Sequence, residues 1–310
     1  MRENSRVLRG GEAMRVGVIG LGSMGMGVAL SLCRAGHAVC GCDIRQKARA
    51  ELAAAGGDAV ASAAVLPEDL EAVVLLVVNA AQVDEVLFGP EGCAARLPRG
   101  AVVVSCVTMA PEAARALAER LDSRGLLSLD APVSGGAARA REGALSVMAS
   151  GTPAAFAAAT PVLDAIAQKV WRLGEAAGVG STVKMVNQLL AGVHIAVAAE
   201  ALALGIRAGA DPETLFEVIS ASAGSSWMWQ NRVPHILAGD DTPLSAVNIF
   251  VKDLGIVLDQ ARALTFPLPL AAAAHQLFLA AAASGHGGRD DAFVIRVWQA
   301  LTGIALPQGE

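Results

Sequence analysis

Lys184 and Asn187 lie three residues apart in VGSTVKMVNQLLAGVHIAVAAEALALG, a Val/Leu/Ala-rich stretch that reads as one long helix, so their side chains share a face. A lysine on so apolar a helix is costly unless it is paired or functional, and burial would loosen its hold on a proton toward the range of a general acid–base. The other reading is a lysine that reaches solvent from the helix end, and residue types alone leave the two open. Gly20-Leu21-Gly22-Ser23-Met24-Gly25 spells G-x-G-x-x-G between an apolar strand and a helix. Gly20 allows the tight turn, Gly22 lets backbone approach a pyrophosphate, and Gly25 permits close helix–strand packing, with the helix N-terminus facing the negative charge. Asp43 ends the second strand. A carboxylate there accepts hydrogen bonds from adenosine ribose hydroxyls and repels a 2′-phosphate, which favours NAD over NADP, although Arg45 stands close enough to pair with such a phosphate.

Further candidates sit at strand ends. Ser134-Gly135-Gly136 starts a helix after a strand, and its N–H groups would suit a substrate carboxylate; a plain N-cap by Ser134 is compatible with that use. Asn79 and Thr108 follow the apolar runs at 72–78 and 101–105, where ligands bind in open α/β sheets. No clustered His/Asp/Glu/Cys set suggests a metal, and His275 and His286 read as structural.

These residues need a scaffold, and the hydrophobic pattern supplies one. Aliphatic runs at 15–20, 37–43, 72–78, 101–105, 126–130 and 145–150 alternate with helical stretches, which implies a parallel sheet covered on both faces. Beyond residue 176 strand signals stop. Helical patterns follow at 180–208, 211–222, 227–237, 246–264, 268–283 and 290–300. The expected fold is an α/β Rossmann-type doubly wound parallel sheet over 14–176, followed by an all-α domain over 177–310. Residues 1–13 are expected to be a disordered leader. The 180–208 helix is apolar almost all round and should be buried between domains or between subunits.

Bulk properties narrow the function classes. A net charge of −5 gives no reason to expect nucleic acid or an anionic membrane as partner. Five cysteines without a Cys-x-x-Cys pair argue against a disulfide framework and fit a reducing, cytoplasmic setting. Residues 265–288 carry no Asp, Glu, Lys or Arg, but their prolines and alanines suit a buried helix better than a membrane span.

Four blocks in order resemble the β-hydroxyacid dehydrogenase family, which includes 3-hydroxyisobutyrate dehydrogenase: VGVIGLGSMGMGVAL; Asp130-Ala-Pro-Val-Ser-Gly-Gly136 with Ala140, Gly143 and Leu145; Gly178-x-Gly180-x3-Lys184-x2-Asn187-Gln188; and Lys252-Asp253-Leu254. The resemblance implies oxidation of a small hydroxy acid with NAD, Lys184 as the proton-transfer residue and Asn187 as a substrate ligand. It also implies Asn79 and Thr108 near the nicotinamide ribose, Lys252 near cofactor and substrate, and a homodimer or homotetramer. Ser105-Cys106-Val107-Thr108 departs from the Asp-x-Ser-Thr of many relatives, so a substrate other than theirs is expected. Residues 77–89, 222–234 and 267–291 are similar to the branch that acts on L-threonate, with Ser225, Ser226 and Trp227 shaping the pocket; alternatively Trp227 and Trp229 pack the helical domain. 3-Hydroxyisobutyrate, tartronate semialdehyde in the reductive direction, and a catalytically silent NAD-binding scaffold are the competing expectations.

Overall fold

A computed structural model describes residues 13–307, and the leader expected at the N-terminus falls almost wholly outside them. The first strands and helices alternate: β1 (Arg15–Ile19), α1 (Ser23–Arg34), β2 (Ala38–Cys42), α2 (Gln46–Ala54), β3 (Asp58–Val60), β4 (Ala72–Leu75), α3 (Ala80–Phe88), β5 (Val102–Ser105), α4 (Pro111–Asp122) and β6 (Leu127–Asp130). The six strands form one parallel sheet in the order β3-β2-β1-β4-β5-β6, the Rossmann arrangement. Alternate residues feed two cores. Ala72, Val74, Val102 and Val104 pack on one face with α1, while Val73, Leu75 and Val103 pack on the other with α3 and α4. Both faces being covered is why these strands read as unbroken apolar runs.

The 145–150 run does not join that sheet. After β7 (Val133–Ser134) and α5 (Gly136–Glu142) it forms β8 (Leu145–Ala149), and α6 (Pro153–Ile166) leads to β9 (Ala167–Arg172). These three make a separate sheet in which β8 runs antiparallel to β7 and parallel to β9. Hydrophobic runs announce burial but not partner. β3, β7 and β9 carry no such run: β7 has two residues, and most of β9 is exposed.

α7 (Val179–Arg207) follows, and the chain divides into two compact units after Lys184, inside this helix. By length and composition α7 could cross a membrane: its most apolar 18-residue window has a mean hydropathy of 2.0, and 44% of that window is buried. The rest of that window is exposed in a single chain. Val183, Val186, Leu190, Val197 and Leu204 remain exposed at spacings that repeat every three, four or seven residues and so line one side.

The second unit continues with α8 (Pro212–Ser220), α9 (Trp227–Leu237), α10 (Val247–Ala263), α11 (Pro269–Ala281) and α12 (Arg296–Thr302). Residues 290–300, expected as one helix, form instead a 3₁₀ segment (Asp291–Ile295) leading into α12, with Asp290 capping it through Ala292 N–H. Trp229 is buried and stacks on Phe216, with centroids 6.3 Å apart, whereas Trp227 is 54% exposed. Of these two tryptophans, only Trp229 is core.

Arg232 on α9 reaches the fully buried Asp291 through Nε (2.6 Å) and Nη2 (3.1 Å), tying together residues 59 apart. Burial pushes the Asp291 carboxyl up to about 7, against the pull of Arg232. Replacing Arg232 with methionine strands that carboxylate, and we expect the loss of about 3–5 kcal/mol typical of a broken buried pair. The sign with pH follows from the raised value: the folded protein holds this proton more tightly than the unfolded chain. Stability from Asp291 is present below the unfolded carboxylate range and is lost as pH rises toward 7 and beyond. Urea unfolding of Arg232→Met should therefore give a lower midpoint at pH 8 than at pH 5.

Candidate functional site

The glycine loop leaves β1 at Gly20, whose φ of +94° suits glycine and whose would-be Cβ lies 2.7 Å from Leu76 O. Gly22 is the N-cap of α1 and has nothing within 4 Å of an added Cβ, so it faces open space. A Cβ on Gly25 would stand 1.8 Å from Gly20 O. Turn, open approach and close packing thus fall on the three glycines in that order. No side chain caps α1 and its first turn, which includes Ser23 and Met24, holds no acid, so an anion could answer the unpaired N–H groups of a helix start. The local geometry fits a dinucleotide pyrophosphate.

Strand order places other candidates on the same edge. Gly20 follows β1, Asp43 follows β2, Asn79 follows β4 and Thr108 lies between β5 and α4, all at the C-terminal ends of parallel strands flanking the β1/β4 reversal. Asp43 Oδ2 accepts from Leu21 N–H (2.9 Å) and Arg45 Nη2 (2.9 Å), and Oδ1 accepts from Arg45 N–H (2.8 Å) and Nε (3.0 Å). Burial opposes ionisation of Asp43, but the hydrogen bonds from Arg45 and Leu21 outweigh it and hold the carboxyl below its ordinary range. Asn79 caps α3: its Oδ1 accepts from Gln82 N–H (2.9 Å), while Gln82 Oε1 accepts from Val78 N–H (2.8 Å). That reciprocal bracket fixes the loop after β4.

Ser134 belongs to β7 and does not cap the next helix; Gly135 takes the N-cap position of α5 with φ +136°, followed by Gly136 with φ +77°. Two successive positive φ values explain the glycine pair.

Lys184 is buried on α7. The start of α7 is held by Asp130, the first residue of the Asp130–Gly136 motif, whose neighbours in sequence give no sign of this role. Asp130 Oδ2 accepts from Gly178 N–H and Ser181 N–H (both 2.9 Å), and Oδ1 accepts from the Ser181 hydroxyl at 2.7 Å. Ser150 donates a hydrogen bond to the same carboxylate (3.3 Å), while its oxygen receives Gly180 N–H at 3.0 Å. Burial raises the Asp130 carboxyl, and these donors pull it back only in part. Gly180 is needed for the approach, since its Cβ would lie 2.4 Å from Met148 O.

In the second unit Asn187 and Lys252 join one polar chain. Asn187 Nδ2 donates to Gln188 Oε1 (3.0 Å), Gln188 Nε2 donates to Asp253 Oδ2 (2.5 Å), and Lys252 Nζ pairs with Asp253 Oδ1 (2.6 Å). In the sequence, the signal for Gln188 and Asp253 is their adjacency to Asn187 and Lys252. Ser226 serves as the N-cap of α9, accepting from Trp229 N–H (3.0 Å), and Ser225 Oγ accepts from Gln230 Nε2 (3.1 Å).

Two family models match: the NAD binding domain of 6-phosphogluconate dehydrogenase over residues 15–174, and the NAD-binding region of NADP-dependent 3-hydroxyisobutyrate dehydrogenase over 178–298. An L-threonate dehydrogenase of Cupriavidus necator is 58% identical over 292 residues, 94% of this chain and 97% of that protein. An L-threonate dehydrogenase of Escherichia coli K12 is 50% identical over 301 residues, 97% and 99% of the two chains. The crystal structure of a 3-hydroxyisobutyrate dehydrogenase from Salmonella typhimurium superposes with a TM-score of 0.88 at 50% identity, covering 92% of this chain and 99% of that one.

Proposed function

The chain belongs to the 3-hydroxyisobutyrate dehydrogenase family of nicotinamide-dependent hydroxyacid dehydrogenases, and from that membership we propose that it oxidises L-threonate to 2-oxotetronate with NAD in the cytoplasm. The observation that carries the reaction class is a buried lysine, Lys184, one turn before Asn187 on α7. The choice of acid rests on likeness to the L-threonate dehydrogenases.

In the proposed reaction the substrate carboxylate is held by N–H groups of Ser134-Gly135-Gly136. Asn187 Nδ2, steadied by Gln188, orients the reacting hydroxyl. Lys184 Nζ, neutral at that moment, accepts the hydroxyl proton as the C–H bond gives up its hydrogen with the electron pair. A bound nicotinamide supplies the acceptor for that hydride. Gly20, Gly22 and Gly25 shape the pyrophosphate turn, Asp43 takes the adenosine ribose, and Asn79 and Thr108 border the nicotinamide ribose. Lys252, paired with Asp253, sets the charge beside cofactor and substrate. We further propose a homodimer or homotetramer, supported by the exposed apolar side of α7.

The test follows NADH absorbance with L-threonate, D-threonate, D-erythronate, 3-hydroxyisobutyrate and D-glycerate, and NADH consumption with tartronate semialdehyde. L-Threonate should give kcat/KM at least about tenfold above every other acid, as a site built to hydrogen-bond substrate hydroxyls requires. A preference for 3-hydroxyisobutyrate or tartronate semialdehyde would overturn the substrate and leave the role of Lys184 standing.

A further inference from the structure

The start of α7 is capped from a distance. The first turn of a helix has N–H groups with no partner inside the helix, and a local Ser, Thr, Asp or Asn usually answers them. Here the residue before Val179 is Gly178, which has no side chain to offer. Asp130 accepts from Gly178 N–H across 48 residues of sequence, and Ser150 Oγ accepts from Gly180 N–H across 30. Ser181 brings its N–H and its hydroxyl to Asp130 as well, and Asp130, Ser150 and Ser181 are all buried. The two acceptors are themselves locked together. Asp130 N–H donates to Ser150 O (3.0 Å) and Ser150 N–H donates to Asp130 O (2.8 Å), an antiparallel bridge. Asp130 ends β6 and Ser150 follows β8, so this bridge joins the main sheet to the second one.

A cap from the helix's own sequence travels with the helix. A cap carried by the two sheets ties the first turn to them. Lys184 stands three residues after Ser181, on the same face of α7. Asp130, Ser150, Gly178, Ser181 and Lys184 all belong to the first compact unit. We propose that Asp130 is a positioning residue for Lys184: with Ser150 and Ser181 it fixes the first turn of α7 on the sheets, and so fixes where the lysine amine stands. The proposal rests on the hydroxyacid reading above, in which Lys184 takes the hydroxyl proton. A carboxylate suits the task, because its charge strengthens each hydrogen bond and complements a helix start. Proton transfer demands such an anchor, since a misplacement of about 1 Å can cost about 10²-fold in rate.

A double-mutant cycle on kcat tests this, with Asp130→Ala, Asp130→Asn and Ser181→Ala each made alone and on a Lys184→Met background. Rates are taken per dinucleotide-binding site, counted by isothermal titration, so that unfolded protein does not enter them. Asp130→Ala should lower kcat about 10²-fold, with the KM for the acid nearly unchanged. Asp130→Asn keeps an acceptor for the two N–H groups and should recover most of that loss. Ser181→Ala removes one donor, leaves Ser181 N–H on Asp130, and should cost several-fold. On the Lys184→Met background the same substitutions should change the residual rate by less than about twofold, because the group they aim is gone. A merely structural Asp130 would cut the rate by the same factor on both backgrounds, and that result would overturn the proposal. Wild-type kcat in Asp130→Ala would do the same. If Asp130→Ala does not fold, Ser181→Ala carries the cycle by itself. Wild-type protein inert with every acid, or near-normal kcat in Lys184→Met, would overturn the underlying reading and the proposal with it.

Discussion

Lys184→Met lowers kcat by about 10²–10⁴-fold, the range that a positioned proton acceptor contributes, while the protein still folds and still binds its dinucleotide. Methionine keeps the length and the apolar stem of the lysine and removes only the amine. The site on α7 is buried, so the replacement meets packing and not water. The start of the helix is fixed by Asp130 through Gly178, Ser181 and the Ser181 hydroxyl, none of which the substitution touches. Single-turnover absorbance at saturating L-threonate reads the chemical step, and isothermal titration reads binding. Lys184→Ala with a small primary amine added to the buffer should recover part of the lost rate. Near-normal kcat in Lys184→Met would sink the assignment of the proton to this residue.

The second large effect separates two glycines of one loop. In Gly25→Ala the new methyl carbon would sit 1.8 Å from Gly20 O, a backbone atom. Gly20 is itself held in place, its N–H donating to Cys42 O at 2.9 Å and its φ at +94°. Something in the β1–α1 junction must break, and the expected loss exceeds about 4 kcal/mol, among the largest single-residue effects. Gly22→Ala meets nothing within 4 Å and keeps an ordinary φ of −64°, so stability should change by no more than about 1 kcal/mol. Its methyl instead fills the space into which a pyrophosphate would come, and dinucleotide affinity should fall about tenfold or more. Thermal unfolding and titration of both variants check the contrast. Equal destabilisation of the two would refute the packing account; normal NAD binding by Gly22→Ala would refute the pyrophosphate account.

What could be read from residues alone was whatever local chemistry dictates. The glycines of 20–25, the aliphatic runs of β1, β2, β4, β5 and β6, and the Asp43 strand end are each decided within a few residues, by backbone freedom, by two-sided burial and by position after a strand. The α/β half and the helical half followed from those local signals. Trp227 and Trp229 shared one signal and took opposite places, because which face of α9 is covered depends on Phe216 and the rest of the helical core.

Only the tertiary structure decided which distant polar groups meet. Gln188 and Asp253 are 65 residues apart, and neither has a pattern that names the other. The same holds for Asp130 with Ser181, 51 residues apart, and for Arg232 with Asp291. The second sheet belongs with them: β8 carries an apolar run like those of the main sheet, but β7 and β9 are too short or too exposed to advertise the pairing. A residue's own type and its near neighbours fix its backbone and its need for burial. Which partner satisfies a buried charge is settled only when the fold brings the two within hydrogen-bond reach.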